Sequence, residues 1–100
     1  MMSAKATAHV VLLTFDLMIP FSHSLKDKRR VIKGLKDRVR ARFNAAVAEI
    51  GYLEEWQRSL IGVALLGNDP GHLEQGSSAI GRLIEETADI QLLKADQEWL

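Results

Sequence analysis

An alternation of apolar residues near the amino terminus places the strongest constraint on how this chain can fold. Every odd position from Val11 to Ile19 is apolar, which is the period-two pattern of a strand with one face on a core. The predicted strand begins at His9 and is followed by Pro20, which ends it. The even positions are partly apolar too, with Val10, Leu12 and Met18 among them.

The period then changes from that of a strand to that of a helix. A helix is predicted from Leu25 to Phe43, because apolar residues recur there at three- and four-residue spacing. Ser24 is a capping residue, and Asp27 lies near the positive end of the helix dipole. Asn44 ends the helix.

Three further strands and a second helix complete the pattern. Residues 45–52 and 57–67 are strand candidates joined by a turn, and residues 90–99 form a weaker last strand. Asp69 followed by Pro70 is a good helix start, and the buried stripe of that helix continues along Leu73, Ser77, Ile80 and Ile84.

The resulting order is β-α-β-β-α-β, which predicts a ferredoxin-like α+β fold. Such a fold has a four-stranded antiparallel sheet in the order 4-1-3-2 with two helices on one face. We expect strands one and three to be neighbours that run parallel. One core is predicted to contain Leu13, Phe15, Ile32, Leu35, Val39, Ile80 and Ile84.

Composition predicts one globular domain in a reducing compartment. The 100 residues, 47% apolar and 26% charged, fit a single domain at 1–100 in which residues 1–7 form a disordered tail. The absence of Cys excludes disulfides and thiolate metal sites. No segment reaches the roughly 18 to 20 apolar residues of a membrane span, so we expect a soluble cytoplasmic protein with no membrane partner.

The formal net charge of zero hides a strong asymmetry along the chain. Residues 1–43 carry ten Lys or Arg against three Asp, a net charge of +7, so residues 44–100 carry −7. Six of these cations fall in a sector roughly 120° wide on the first helix. We refer to this set as the basic stripe, comprising Lys26, Arg29, Arg30, Lys33, Lys36 and Arg40. The stripe is consistent with an anionic partner and equally with a merely solvated helix face.

A second candidate site depends on the expected direction of the strands. If strands one and three are parallel, the loops at residues 20–24 and 67–70 meet at one edge of the sheet. The residues brought together there are His23, Asn68, Asp69 and His72. Such a cluster would suit a small anion, a metal or acid–base chemistry, whereas helix capping and local hydrogen bonds explain these residues without a ligand.

The sheet face away from the helices is a candidate interface. Apolar residues expected on it are Val10, Leu12, Met18, Leu60 and Leu66. An exposed patch of this size is unusual for a monomer, and a two-fold dimer is the commonest way to cover one. We therefore expect a homodimer.

The predicted hairpin between strands two and three carries Trp56, Gln57 and Arg58. Trp and Arg are favoured anchors at interfaces, although a Trp packing over the end of the sheet is the alternative. Strand three contains no aromatic residue. Base stacking on the central strands, as in RNA recognition motifs, is therefore disfavoured.

Several short motifs resemble those of the YlxP-like family of bacterial proteins, which carry domain of unknown function 503. They are Ser22-His23-Ser24-Leu25-Lys26-Asp27-Lys28-Arg29-Arg30-Val31, Phe43-Asn44, Val47-Ala48-Glu49, Trp56-Gln57-Arg58, Ile61-Gly62-Val63-Ala64 and Asn68-Asp69. The likeness covers about residues 9–100. It implies the ferredoxin-like fold and no catalytic residues. Genes of this family often lie beside those for translation initiation and ribosome maturation factors, which suggests ribosomal RNA as a partner by association only.

We therefore expect a binding protein rather than an enzyme, with no cofactor, no metal site and no catalytic residues. The leading interpretation is an RNA- or ribosome-associated accessory factor that uses the basic stripe. The alternatives are a protein–protein interaction module acting as a homodimer, and a small-anion-binding or hydrolytic site at the His23/Asp69 edge.

Overall fold

A computed structural model describes residues 6–100 of the chain. The elements are β1 (His9–Met18), α1 (Leu25–Arg42), β2 (Ala45–Gly51), β3 (Arg58–Gly67), α2 (Pro70–Glu85) and β4 (Gln91–Trp99). Every predicted strand and helix is confirmed. Residues 1–5 of the predicted tail lie outside the described residues, and residues 6 and 7 are exposed and have no regular secondary structure.

Both helices begin where the capping residues predict. The Ser24 hydroxyl accepts a hydrogen bond from the backbone N–H of Asp27 at 3.0 Å. Asp69 accepts one from the N–H of Gly71 at 3.0 Å, and Pro70 occupies the first turn of α2. These caps satisfy amide groups that a helix start leaves without partners.

The sheet has the order β2-β3-β1-β4, which is the predicted order in reverse, and every neighbouring pair is antiparallel. This is the ferredoxin-like α+β fold. The expectation that β1 and β3 run parallel is wrong, because His9 lies opposite Gly67 and Met18 lies opposite Arg58. The helical crossover makes β1 and β2 parallel, and the β2–β3 hairpin then reverses the direction of β3.

The core lies between the sheet and the two helices. All seven residues predicted to share one core belong to the same buried cluster, and none is more than 3% exposed. From Val11 onward the odd-numbered residues of β1 are buried and the even-numbered residues are half-buried, as the alternation predicts. Within the described residues, neither helix is long and apolar enough to cross a membrane.

The face of the sheet away from the helices is the open face. Of the predicted interface residues, Leu66 is 63% exposed, whereas Val10, Leu12, Met18 and Leu60 are half-buried by their neighbours in the sheet. All five lie on this face, as their alternation predicts.

Candidate functional site

The basic stripe lies along one side of α1. The buried positions of that helix are Lys28, Ile32, Leu35 and Val39. Lys36 is half-buried and the other five cations of the stripe are exposed. Arg40 donates from Nη2 to the backbone carbonyl of Val47 at 2.8 Å, which places the stripe beside β2 at the edge of the sheet.

Two carboxylates of α1 neutralise part of the stripe. Arg30 pairs with Asp27 at 3.1 Å, and Lys33 pairs with Asp37 at 2.9 Å. Both are surface pairs, which contribute little to stability and leave the cations able to exchange partners. Six cations against two carboxylates leave a net charge of +4 on this side of the helix.

The pKa of Asp37 shows the electrostatic effect of the basic stripe. Its pKa is lowered, first by the hydrogen bond from Lys33 and then by the charges of Lys33, Arg40 and Lys36, against an opposing effect of desolvation. An anion at this surface is therefore stabilised by several cations at once.

Seven of the ten acidic residues that follow residue 43 lie on or beside α2 and β4. The other three are Glu49 on β2 and Glu54 and Glu55 in the hairpin between β2 and β3, and the seven are Asp69, Glu74, Glu85, Glu86, Asp89, Asp96 and Glu98. β4 and β2 form opposite edges of the sheet, whereas Asp89 lines the same cavity as Arg30, so the charge asymmetry of the sequence becomes a partial separation in space.

Lys28 has a structural role that the sequence analysis did not predict. Its side chain is fully buried, and its Nζ lies 3.0 Å from a carboxylate oxygen of Glu49. The same ammonium donates to the backbone carbonyl of Tyr52 at 2.7 Å and to those of Leu53 and Arg58 at 3.3 Å. The sequence signal was available, since Lys28 stands four, seven and eleven residues before the buried positions of α1 and therefore on its apolar face.

Ser59 completes this arrangement by donating its hydroxyl to Glu49 at 2.6 Å. We refer to Lys28, Glu49 and Ser59 as the lysine clamp. The clamp fixes the start of α1 to the hairpin between β2 and β3, because its acceptors belong to both ends of that hairpin. The amino-terminal end of the basic stripe is therefore held in one position relative to the sheet.

The hairpin residues Trp56, Gln57 and Arg58 have three different roles. Gln57 donates to the carbonyls of Pro20 and Ser22, which fastens the β1–α1 loop to the end of the sheet. Trp56 is 54% exposed. Its exposure leaves it available as an interface anchor rather than packed within the fold.

Arg58 is engaged within the chain. Its Nη2 donates to both carboxylate oxygens of Asp16, at 2.8 and 3.0 Å, and its guanidinium lies 4.4 Å from the centre of the Tyr52 ring. The pKa of Arg58 is raised, chiefly by the hydrogen bond with Asp16. The Asp16–Arg58 pair is therefore a neutral unit on the open face.

The His23/Asp69 cluster does not form. Because β1 and β3 are antiparallel, the loops at residues 20–24 and 67–70 lie at opposite ends of the sheet. The backbone N–H of His23 donates to the Asp27 carboxylate, and Asp69 caps α2. The predicted members Asn68 and His72 are both exposed at the far end. Among residues 6–100, no three His, Cys, Asp or Glu side chains are grouped so as to hold a metal ion.

Comparisons with known proteins agree with the fold and with the family resemblance. A solved structure, titled "De novo designed protein Foldit4", matches with a TM-score of 0.55 over 90% of this chain and 96% of its own, at 16% identity, which shows the fold alone. "Uncharacterized protein YlxP" from Bacillus subtilis (strain 168) is 33% identical over 76 residues, which cover 76% of this chain and 83% of that protein. The model of the family described as "Protein of unknown function (DUF503)" matches residues 10–97. The chain therefore belongs to the DUF503 family.

Proposed function

We propose that this protein is a cytoplasmic RNA-binding accessory factor of the ribosome, and not an enzyme, that holds RNA phosphates on the basic stripe of α1. The observation that supports this most directly is the separation of charge. Five exposed cations and a half-buried sixth line one side of a single helix, while seven of the ten acidic residues that follow residue 43 lie on or beside α2 and β4. A continuous basic surface of this kind is the electrostatic footprint of a phosphate backbone.

The stripe offers two classes of phosphate contact. Within the part of the chain that the structure describes, Lys26, Arg29 and Lys36 have no ion-pair partner. Arg30 and Lys33 hold carboxylates only at the surface, so a phosphate can replace those partners at little cost. Arginine additionally offers a planar fork of donors that matches two phosphate oxygens.

The sheet favours recognition of the backbone over recognition of bases. No aromatic residue lies on β3, so the central strand lacks a stacking platform of the kind that RNA recognition motifs use. Binding that depends on phosphates alone has little sequence preference and falls steeply with salt. We expect three or four of the six cations to reach phosphates at once, which gives a slope of log K against log salt of about −2 to −3 for single-stranded RNA.

The experiment compares charge reversals at two places on the surface. Binding to a short single-stranded RNA is measured between about 50 and 200 mM salt, and co-sedimentation with ribosomes is measured at the low end of that range. The double variant Arg29→Glu/Lys33→Glu should lose binding while keeping the parent's stability, since both side chains are exposed. A matched pair of single variants, Arg29→Glu on α1 and Arg82→Glu on α2, separates the stripe from a general effect of net charge.

The proposal requires Arg29→Glu to bind less tightly than Arg82→Glu, because only the first residue belongs to the stripe. If the double variant binds RNA and ribosomes as the parent does at low salt, the basic stripe is a solvated helix face and the proposal fails. Equal losses in the two single variants would also contradict it, since net charge alone would then explain the binding.

A further inference from the structure

The open face has a composition that suits packing against the open face of a second copy of the chain. Residues directly opposite one another in neighbouring strands point to the same face of the sheet. Each even-numbered residue of β1, with its partners on β3 and β4, therefore defines one row of side chains across the open face. Thr14 lies opposite Gly62 of β3 and Asp96 of β4, and this row crosses the middle of the sheet. The Ile50 side chain leans over it, 3.2 Å from the place that a Cβ on Gly62 would occupy. The centre of the face therefore has small side chains at Gly62 and Thr14 and an apolar one at Ile50, with the charge of Asp96 at the β4 edge.

The rows on either side of Thr14 differ in a complementary way. One row contains Leu12, Ala64 and Glu98, and the other contains Asp16, Leu60 and Lys94. On β3, the small Ala64 in the first row thus corresponds to the larger Leu60 in the second. On β4, the anion Glu98 in the first row corresponds to the cation Lys94 in the second.

We propose that two copies of the chain pack open face to open face about a two-fold axis that follows the Thr14 row, perpendicular to the strands. A two-fold axis exchanges the rows on its two sides, so residue i of one copy meets residue j of the other and the reverse. Ala64 then meets Leu60 of the second copy, and Glu98 meets its Lys94. Each of these contacts occurs twice.

The remaining charges of the open face tolerate this arrangement. Asp16 is already held by Arg58 through two hydrogen bonds, so Leu12 of the second copy covers a neutral pair. Lys94 lies 3.6 Å from Asp96, which reduces the repulsion between the two copies of Asp96 at the axis. Outside these pairs, the apolar residues Val10 and Leu66 extend the contact toward the end of the sheet.

The area is sufficient for a specific dimer. Four strands about 4.8 Å apart and roughly 25 to 30 Å long give a face of about 500 Å² per copy before side-chain relief is counted. Two such faces remove about 1,000 Å² from water, which is the lower limit of specific interfaces. The exposed side chains Ile50 and Leu66, at 52% and 63%, are the ones that gain most from being covered.

The first test measures mass by light scattering at micromolar concentration, where the parent should show twice the chain's 11.2 kDa. Leu66→Lys replaces an apolar side chain of the interface by a cation that the interface leaves without a partner, and it should give a monomer. Leu53→Lys is the matched control, because Leu53 is similarly exposed at 53% but lies in the hairpin turn, outside the four strands. Circular dichroism confirms that both variants remain folded.

The second test identifies the axis by exchanging charges. Lys94→Glu places two anions opposite each other at two symmetric contacts, which should weaken the dimer about tenfold. The double variant Lys94→Glu/Glu98→Lys should restore most of the parent affinity. A monomeric parent, or a Leu66→Lys variant as dimeric as Leu53→Lys, overturns the dimer. Failure of the double variant to recover overturns the axis.

None of these measurements involves RNA, so the dimer and the RNA-binding proposal can fail separately.

Discussion

Replacing Lys28 by Met tests the lysine clamp, since Met preserves the length and helix propensity of the side chain while removing its charge. Removing one partner of a buried ion pair costs about 3 to 5 kcal/mol, mainly because the other charge is left without a partner. Glu49 is 17% exposed and keeps its hydrogen bond from Ser59, so its carboxylate is partly stabilised after the change. Three backbone carbonyls also lose their donor. We therefore expect the variant to be less stable by about 2 to 4 kcal/mol.

Urea denaturation followed by circular dichroism measures this loss directly. A domain of this size is stable by roughly 5 to 15 kcal/mol, so the variant should still fold at room temperature. Each 1 kcal/mol lowers the Tm of a domain of this length by about 4 to 8 °C, so the Tm should fall by at least about 8 °C. Lys26→Met is the matched control, because Lys26 is exposed on the same helix and its replacement should change stability by less than about 0.5 kcal/mol.

Two further measurements establish that the loss comes from the clamp. Adding Glu49→Gln to Lys28→Met should recover part of the stability, because a neutral amide leaves no unpaired charge. Amide exchange should accelerate most in the hairpin at residues 52–58, which the clamp holds. A Lys28→Met variant as stable as Lys26→Met would refute the reasoning, since the buried ammonium would then contribute nothing over a methylene chain.

Three other outcomes follow from the structure. Ile32→Asp should unfold the domain, because Ile32 is 3% exposed and the change buries a charge without a partner, and the far-ultraviolet circular dichroism spectrum will show the loss. Ser24→Ala should cost about 1 kcal/mol in urea denaturation by removing the cap of α1, and an unchanged midpoint would refute that role. Asp37 should titrate below its ordinary pKa of 3.8 in an NMR titration, and Lys33→Met should raise that pKa. A lowered carboxyl pKa stabilises the fold above the unfolded pKa, and this contribution is lost as the pH falls through the folded pKa.

The fold was predictable because its signals are local. The alternation in β1, the three- and four-residue spacing in α1, and the caps at Ser24 and Asp69 each depend on a few neighbouring residues. The order of strands and helices then leaves few topologies to choose from. The same local signals placed the basic stripe on one side of a single helix, because a helix fixes the angle between its residues.

The features that the sequence did not predict depend on contacts between residues that are distant in the sequence. The lysine clamp joins Lys28 to Glu49, and the neutral pair joins Asp16 to Arg58, over separations that no periodicity reports. The His23/Asp69 cluster was predicted wrongly for a related reason, since strand direction is a property of the whole topology. Counting the reversals of the chain from β1 through the β2–β3 hairpin shows that β1 and β3 must be antiparallel.

The two proposals are compatible because they use opposite faces of the domain. The helices pack on one face of the sheet, so a dimer formed through the open face leaves both basic stripes on the outside. The layers would then follow the order helix, sheet, sheet, helix, with the two helix layers roughly 30 Å apart. A long RNA that reached around the dimer would contact both stripes, whereas a short one would contact a single stripe. Dimer formation therefore increases affinity through avidity for long RNA only, and Leu66→Lys should bind long RNA less tightly than the equally charged Leu53→Lys while the two variants bind short RNA alike.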